Sequence, residues 1–348
     1  MLRQLFPGLM NVTLWLTWLC LMAGVVGGAT PRDLPCPDGI DILPCVCTAH
    51  EDLSMDMNCS AVTSSNQLAL IFSKHFPFNN FKNLFIIGNT AIRALRFGDL
   101  GDATFEMITI SGGTLESVVS GALTNSHDTL VHLDLSENHL IDFPFDEIVS
   151  FKRIETLKLR NNALHTFPHL TSSTLRFFFI GYNPLKTISS SALKNLPNLE
   201  QIGLHFAEFS SVEPGTFVGI PKLRLVHLEG NQLTTLRANT IKLTGTDTWV
   251  HLNSNKLVSI EVNAISGVIK EVWINDNQLT ELNEDVWRQM FDDDIQLYAK
   301  DNPFTCGCDI AWIVLNVNYL NNLIDDPTCE SKTPISDLDP VIFNELCT

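Results

Sequence analysis

Six times along the chain an eleven-residue figure returns, with apolar residues at its first, fourth, sixth and eleventh positions and an asparagine at its ninth. LVHLDLSENHL (130–140) shows it in full, and IETLKLRNNAL (154–164), LRFFFIGYNPL (175–185), LRLVHLEGNQL (223–233), DTWVHLNSNKL (247–257) and IKEVWINDNQL (269–279) follow, some with one substitution. The asparagines are Asn138, Asn162, Asn183, Asn231, Asn255 and Asn277. Weaker copies fill the gaps: FKNLFIIGNTA (81–91), FEMITISGGTL (105–115), LEQIGLHFAEF (199–209) and DIQLYAKDNPF (294–304). In two of these, Gly113 and Ala207 stand in the asparagine's place. Coincidental apolar periodicity would not keep an asparagine in phase six times. Ten copies in one register, spaced 21 to 25 residues apart between Asn89 and Asn302, describe a chain wound into coils with no room for a second domain.

The letters of the repeat follow from that winding. On a short strand, positions 4 and 6 point to one face and positions 3, 5 and 7 to the other. Each coil buries its apolar face only against its neighbours, and later apolar residues such as Phe217, Ile220 and Leu223 close the outer side. A buried asparagine at position 9 can bond main-chain groups where the strand ends, and leaving such groups unpaired costs ~1–3 kcal/mol each. Gly113 and Ala207 are therefore expected to mark weaker coils. The expected fold is an α/β solenoid, a horseshoe of about ten coils.

Cysteine placement says where the coils stop. Of nine cysteines, Cys20 lies in a segment that reads as a secretory signal: Arg3, an apolar stretch from Leu14 to Val26, then Gly27, Gly28 and Ala29, after which cleavage is expected. The apolar part is shorter than the ~20 residues that span a bilayer. Eight cysteines remain, four between Cys36 and Cys59 and four between Cys306 and Cys347. An even number in an oxidising compartment reads as disulfides, and a solenoid needs caps where its core would otherwise meet water. Zinc is the competing reading of clustered cysteines, but secretion and the Cys-x-Cys spacing favour bridges. The organisation is thus a signal peptide (1–29), an N-terminal cysteine cap and lead-in (30–80), the repeats (81–304) and a C-terminal cysteine cap (305–348).

The motif NPFTCGCDIAW (302–312), followed by Cys329 and Cys347, resembles the C-terminal cap of extracellular leucine-rich-repeat proteins, and CPDGIDILPCVCTAHEDLSMDMNC (36–59) is similar to the matching N-terminal cap. That resemblance implies the bridges Cys36–Cys47, Cys45–Cys59, Cys306–Cys329 and Cys308–Cys347, each stabilising by ~2–4 kcal/mol. A narrower resemblance rests on the Cys-Pro opening with Ile-x-Pro-Cys-x-Cys-Thr (42–48) and on ten irregular coils between two caps in an acidic secreted chain. In these the sequence is similar to the arthropod relatives of the non-catalytic subunit of decapod shrimp luciferase. In that system a separate small subunit performs the oxidation. The resemblance therefore implies a chain without activity of its own whose partner is another secreted protein, a small catalytic subunit being one candidate.

The register makes the concave face readable. Column 3 runs Asn83, Met107, His132, Thr156, Phe177, Gln201, Leu225, Trp249, Glu271, Gln296; column 5 runs Phe85, Thr109, Asp134, Lys158, Phe179, Gly203, His227, His251, Trp273, Tyr298. Rings and histidines gather in the second half. Large apolar rings that contribute nothing to a core are the usual mark of an interface, so Phe177, Phe179, His227, Trp249, His251, Trp273 and Tyr298 are the candidate binding residues. The competing reading is a cross-strand ladder of rings packed on one another or covered by the C-terminal cap. His227 and His251 are expected to be neighbours, with His205 close by. They read as unpaired surface histidines, with a pH-sensitive contact or an adventitious metal site as the sharper alternative.

The chemistry of catalysis is not written in the chain. It holds no GxSxG, HExxH, phosphate-cradling glycine loop or GxGxxG, and no cofactor or metal is assigned. Asp292, Asp293 and Asp294 read as a solvated face rather than a calcium loop. The formal charge of −17, or −18 once the single positive charge of Arg3 is removed, disfavours nucleic acid, and no segment after the signal is apolar enough to span a membrane. One sequon, Asn58-Cys59-Ser60, marks Asn58 as a glycosylation candidate. The function expected is that of a secreted, non-enzymatic, protein-binding solenoid. An innate-immune or matrix recognition module is the alternative, and an enzyme with an unrecognised site comes third. If the caps are as described, thiol titration of the denatured mature protein finds no free thiol; one reactive thiol per chain would contradict them.

Overall fold

The computed structural model describes residues 35–347; the segment read as a secretory signal, with Cys20, lies outside the described residues. Main-sheet strands are numbered in chain order. A hairpin of β1 (Val46–Ala49) and β2 (Met55–Asn58) comes first. Next are β3 (Asn80–Ile87), β4 (Thr104–Ser111), β5 (His132–Asp134), β6 (Thr156–Lys158) and β7 (Phe177–Phe179). The last five are β8 (Gln201–Gly203), β9 (Leu225–His227), β10 (Trp249–His251), β11 (Glu271–Trp273) and β12 (Gln296–Tyr298). They lie side by side in chain order as one twelve-stranded sheet. Only β1 and β2 pair antiparallel. Strand β2 is parallel to β3, so the stretch after the hairpin winds as one further turn, with the helix Ser65–Phe72 on its outer side.

Pairing runs position 3 to position 3 and position 5 to position 5: Leu225 faces Trp249, Trp249 faces Glu271, and His251 faces Trp273. Side chains at position 4, such as Leu133, Leu157, Phe178, Val226 and Val250, and at position 6, such as Leu135, Ile180, Leu228 and Leu252, are fully buried in one core that extends from cap to cap. The outer side carries little helix. Short parallel pairs, Thr235–Leu236 with Ser259–Ile260 and Ile241–Leu243 with Ile265–Gly267, and the 3-10 turn Phe145–Ser150 close it, with longer helices only towards the two ends, Ser65–Phe72 and Glu284–Asp292.

Strands stay short because the chain turns sharply just before the asparagine. Position 8 is left-handed in all ten coils, with φ from 51° at Phe206 to 68° at Gly230. Glycine adopts this freely at 88, 112 and 230, whereas a non-glycine residue there costs ~1–2 kcal/mol and needs the coil around it to hold it.

The asparagine supplies that hold. In Asn162, Nδ2 donates to Leu159 O of its own coil (3.1 Å) and to Leu135 O of the preceding one (3.0 Å), while Oδ1 accepts from Leu140 N (2.9 Å). The same pattern recurs at Asn138, Asn183, Asn255, Asn277 and Asn302. The coil of Ala207, expected to be weak, is bridged by its neighbour. Asn231 Oδ1 accepts from both Ala207 N and Phe209 N (3.0 Å each), and its Nδ2 donates to Leu204 O and Leu228 O (2.9 Å each).

Each end is closed by two bridges: Cys36–Cys47 and Cys45–Cys59, Cys306–Cys329 and Cys308–Cys347. In the C-terminal cap, Trp312 Nε1 donates to Leu282 O (3.0 Å), and Phe291, Trp312 and Tyr319 meet edge to face. Tyr319 donates to Asp292, so the first residue of the acidic run holds the cap and is not simply solvated. Asp325 receives Ala299 N and Lys300 N (2.9 Å each), which ends the sheet.

Because Asn231 holds two amides of a coil that has no asparagine of its own, Asn231→Ala should cost more than Asn162→Ala, by about 1–3 kcal/mol, the cost of one further unpaired buried group. Denaturant titration of the two variants measures this. Equal losses would mean that the coil of Ala207 is supported in another way.

Candidate binding site on the concave face

Strands β7 to β12 bring the column-5 rings into line. Ring centroids are 4.7 Å apart from His227 to His251, 5.2 Å from His251 to Trp273 and 4.0 Å from Trp273 to Tyr298, the last two pairs within 17° of parallel. These separations bracket the strand spacing of ~4.8 Å, as expected for rings standing on adjacent strands. All four are half-buried: neighbours cover their faces, and their outer parts remain accessible. The stack is thus a ladder and a presented surface at once.

Phe179 extends the row past Gly203. A Cβ added at Gly203 would lie 2.6 Å from Phe179 Cδ1, so the ring leans into space that only glycine leaves free. Arg160 covers its other side, with the guanidinium carbon 4.4 Å from the ring centroid. In column 3, Phe177 lies under Arg176 (5.0 Å) and Trp249 beside Arg224 (5.9 Å). These arginines belong to a charge ladder on the neighbouring residue of each coil: Arg176 bonds Glu155 (3.1 Å) and Glu200 (2.6 Å), and Arg224 reaches Glu200 (3.5 Å). The Arg176 hydrogen bond holds the Glu200 carboxyl below the usual carboxylate range. The face is therefore a row of rings bordered along one edge by paired charges.

His227 is not unpaired. Its Nδ1 lies 3.1 Å from Glu229 Oε1, and His205 Nδ1 lies 4.0 Å from the same oxygen. Burial lowers the pKa of His205, with the nearby Arg160 and His227 adding to it; burial and His227 lower that of His251. Burial pushes the Glu229 carboxyl up, but the hydrogen bond and charge of His227 outweigh it and leave the group below its ordinary range. Burial and the carboxylates of Glu271 and Asp325 raise the Tyr298 phenol, which keeps it a neutral donor. Trp273 Nε1 faces Glu271 Oε2 at 3.3 Å.

The structure adds residues that columns 3 and 5 do not contain. Position 7 supplies Arg160, His205 and Glu229. Position 8 supplies Tyr182 and Phe206, stacked 4.7 Å apart on the rim and about half exposed. Their signal was available in the sequence, since position 7 also projects from the strand, whereas the left-handed turn that swings position 8 onto the rim carries no letter of its own. Beside them, Asp134, Lys158, Arg160, Tyr182 and His205 line an open depression of 490 Å³. Asn58 is exposed at the end of β2, its Oδ1 receiving Ser60 N at 3.0 Å, and the Cys59 beside it is buried in its bridge.

Parallel short strands, an asparagine ladder and disulfide-closed ends define a leucine-rich-repeat solenoid, and a leucine rich repeat family model matches residues 173–233. The chain is 36% identical over 316 residues to the Oplophorus-luciferin 2-monooxygenase non-catalytic subunit of Oplophorus gracilirostris, covering 90% of this chain and 88% of that one, and it belongs to that family. A shorter likeness, 31% over 129 residues and 36% of each chain, links it to Tsukushi of Rattus norvegicus. Among solved structures, a chain of the octameric complex of Latrophilin 3, Unc5D and FLRT2 (LRR) shares the fold with a TM-score of 0.62 at 18% identity, over 84% of this chain and 88% of that one. A chain of the Toll–Spatzle complex shares it at 0.55 and 15% identity, over 82% of this chain and 47% of that one. Among the described residues, no helix is long and apolar enough to cross a membrane.

Proposed function

We propose that the chain is a secreted, non-enzymatic binding subunit that holds another secreted protein on the second half of its concave face. The observation that carries this reading is the stacked row His227, His251, Trp273 and Tyr298, with Phe179 beyond Gly203 and Phe177 and Trp249 beside it. In each strand the inward positions already carry the core, as Val250 and Leu252 do beside Trp249, so the rings are free to serve an interface. Aromatic anchors of this kind dominate interface energies. The relative from Oplophorus is named a non-catalytic subunit, and by that likeness the partner is a small secreted catalytic chain. The disulfides, the N-terminal signal and Asn58 as a glycan acceptor fit an extracellular setting. The partial likeness to Tsukushi favours a second reading, an extracellular recognition module.

Affinity capture of the native protein from secretions, read by mass spectrometry, separates the two. One small secreted protein at fixed stoichiometry is expected; a monomer that retains matrix or microbial glycans would support the recognition module. With the partner in hand, Trp249→Ala and Trp273→Ala should each cost at least ~2 kcal/mol of binding, about thirtyfold in affinity, with melting curves little changed, whereas Thr109→Ala should have no effect. A sharp loss of stability at unchanged affinity would assign the rings to structure and move the binding face to the outer side or the caps.

A further inference from the structure

At the centre of the concave face three imidazoles and one carboxylate converge. One ligand atom from each of His227, Glu229 and His251 lies within 4.8 Å of the others. His205 reaches the same carboxylate from the preceding coil, its Nδ1 4.0 Å from Glu229 Oε1. Two polar atoms in this cluster, His205 Nδ1 and Glu229 Oε2, are buried without any hydrogen-bond partner. Buried polar atoms are nearly always satisfied, so an unpaired ring nitrogen and an unpaired carboxylate oxygen in one cluster ask for a group that bonds to both. A cation does so.

We propose that His227, Glu229 and His251, with His205 completing the set, form a binding site for one divalent transition-metal ion of the zinc class. Three imidazole nitrogens and one carboxylate oxygen are the donors such ions prefer, whereas calcium and magnesium require a shell of oxygens that this face does not offer. The geometry is close to what binding needs. With metal–ligand bonds of about 2.0–2.1 Å, tetrahedral ligands stand about 3.4 Å apart, so His227, Glu229 and His251, already within 4.8 Å of one another, close by side-chain rotation, and His205 turns in from the preceding coil. The repeat produces the cluster: His227 and His251 occupy position 5 of successive coils, and His205 and Glu229 position 7 of successive coils. Parallel pairing in register therefore brings all four onto three adjacent strands. His251 also stacks on Trp273, 5.2 Å between centroids, which places an indole beside the ion.

The site is tested on the full mature chain after chelator treatment, with zinc chloride titrated by calorimetry. One ion per chain is expected, at a dissociation constant of about 10 µM or tighter, with no heat from calcium or magnesium. His227→Ala and His251→Ala should each weaken zinc at least ~10-fold, and His132→Ala on an earlier coil should leave it unchanged. Copper(II) should quench tryptophan emission in Trp249→Phe, which keeps Trp273, and much less in Trp273→Phe. No saturable zinc binding, or binding that survives both histidine changes, overturns the proposal. Should either alanine variant fail to fold, the cobalt(II) visible spectrum of the unaltered chain decides: a four-coordinate band is expected, and the spectrum of hexaaquo cobalt would overturn the site.

Discussion

The side chain of one asparagine per coil joins two consecutive turns of main chain, and most of what this molecule does depends on that junction. A strand of three residues has too few main-chain bonds to set its own place in a sheet. The position-9 asparagine adds bonds to the carbonyl of position 6 in its own coil and in the coil before, so it fixes spacing and register together. It also stabilises the left-handed residue that precedes it, at which the chain leaves the strand. In the coil of Ala207, which has no asparagine of its own, the next one accepts Ala207 N in addition to the Phe209 N that its place in the repeat gives it.

Strict register converts a linear sequence into columns, and columns bring chemistry together. Residues 22 to 25 apart along the chain become neighbours at strand spacing, so a ring at one position 5 rests on the ring of the next coil. The same logic stacks arginine between glutamates along the edge of the face, where paired charges border apolar rings and hold their orientation. Rings whose faces are covered by one another lose little freedom on meeting a partner, so an interface built from them forms at low entropic cost. The stack therefore pre-orders the proposed binding face, while the positions 4 and 6 beneath it carry the core.

Much of this was legible in the letters. Because periodicity alone sets which residues share a face, columns 3 and 5 and the core at positions 4 and 6 follow from the pattern. The eight cysteines fall in two groups at the ends because a solenoid has two open faces to close. Less legible were features that depend on conformation or on contacts across coils. The left-handed turn that carries Tyr182 and Phe206 onto the rim is shared by seven residue types across ten coils and so leaves no consensus. His227 looked unpaired because its partner Glu229 sits two residues away on the same coil, a spacing that becomes a contact only once the strand has ended. Asp292 read as one of three solvated acids, yet the fold of the cap sends Tyr319 back to it from twenty-seven residues away.

On this reading the concave row of rings is the surface that a partner covers. Oxidative footprinting of the protein, alone and saturated with the partner it captures, distinguishes the two outcomes. The account predicts that Trp249, Trp273 and Tyr298 react in the free protein and are protected in the complex, while the exposed residues Phe97, Ile141 and Leu346 react equally in both. Protection of Phe97, Ile141 or Leu346 with unchanged reaction at the three rings would contradict it.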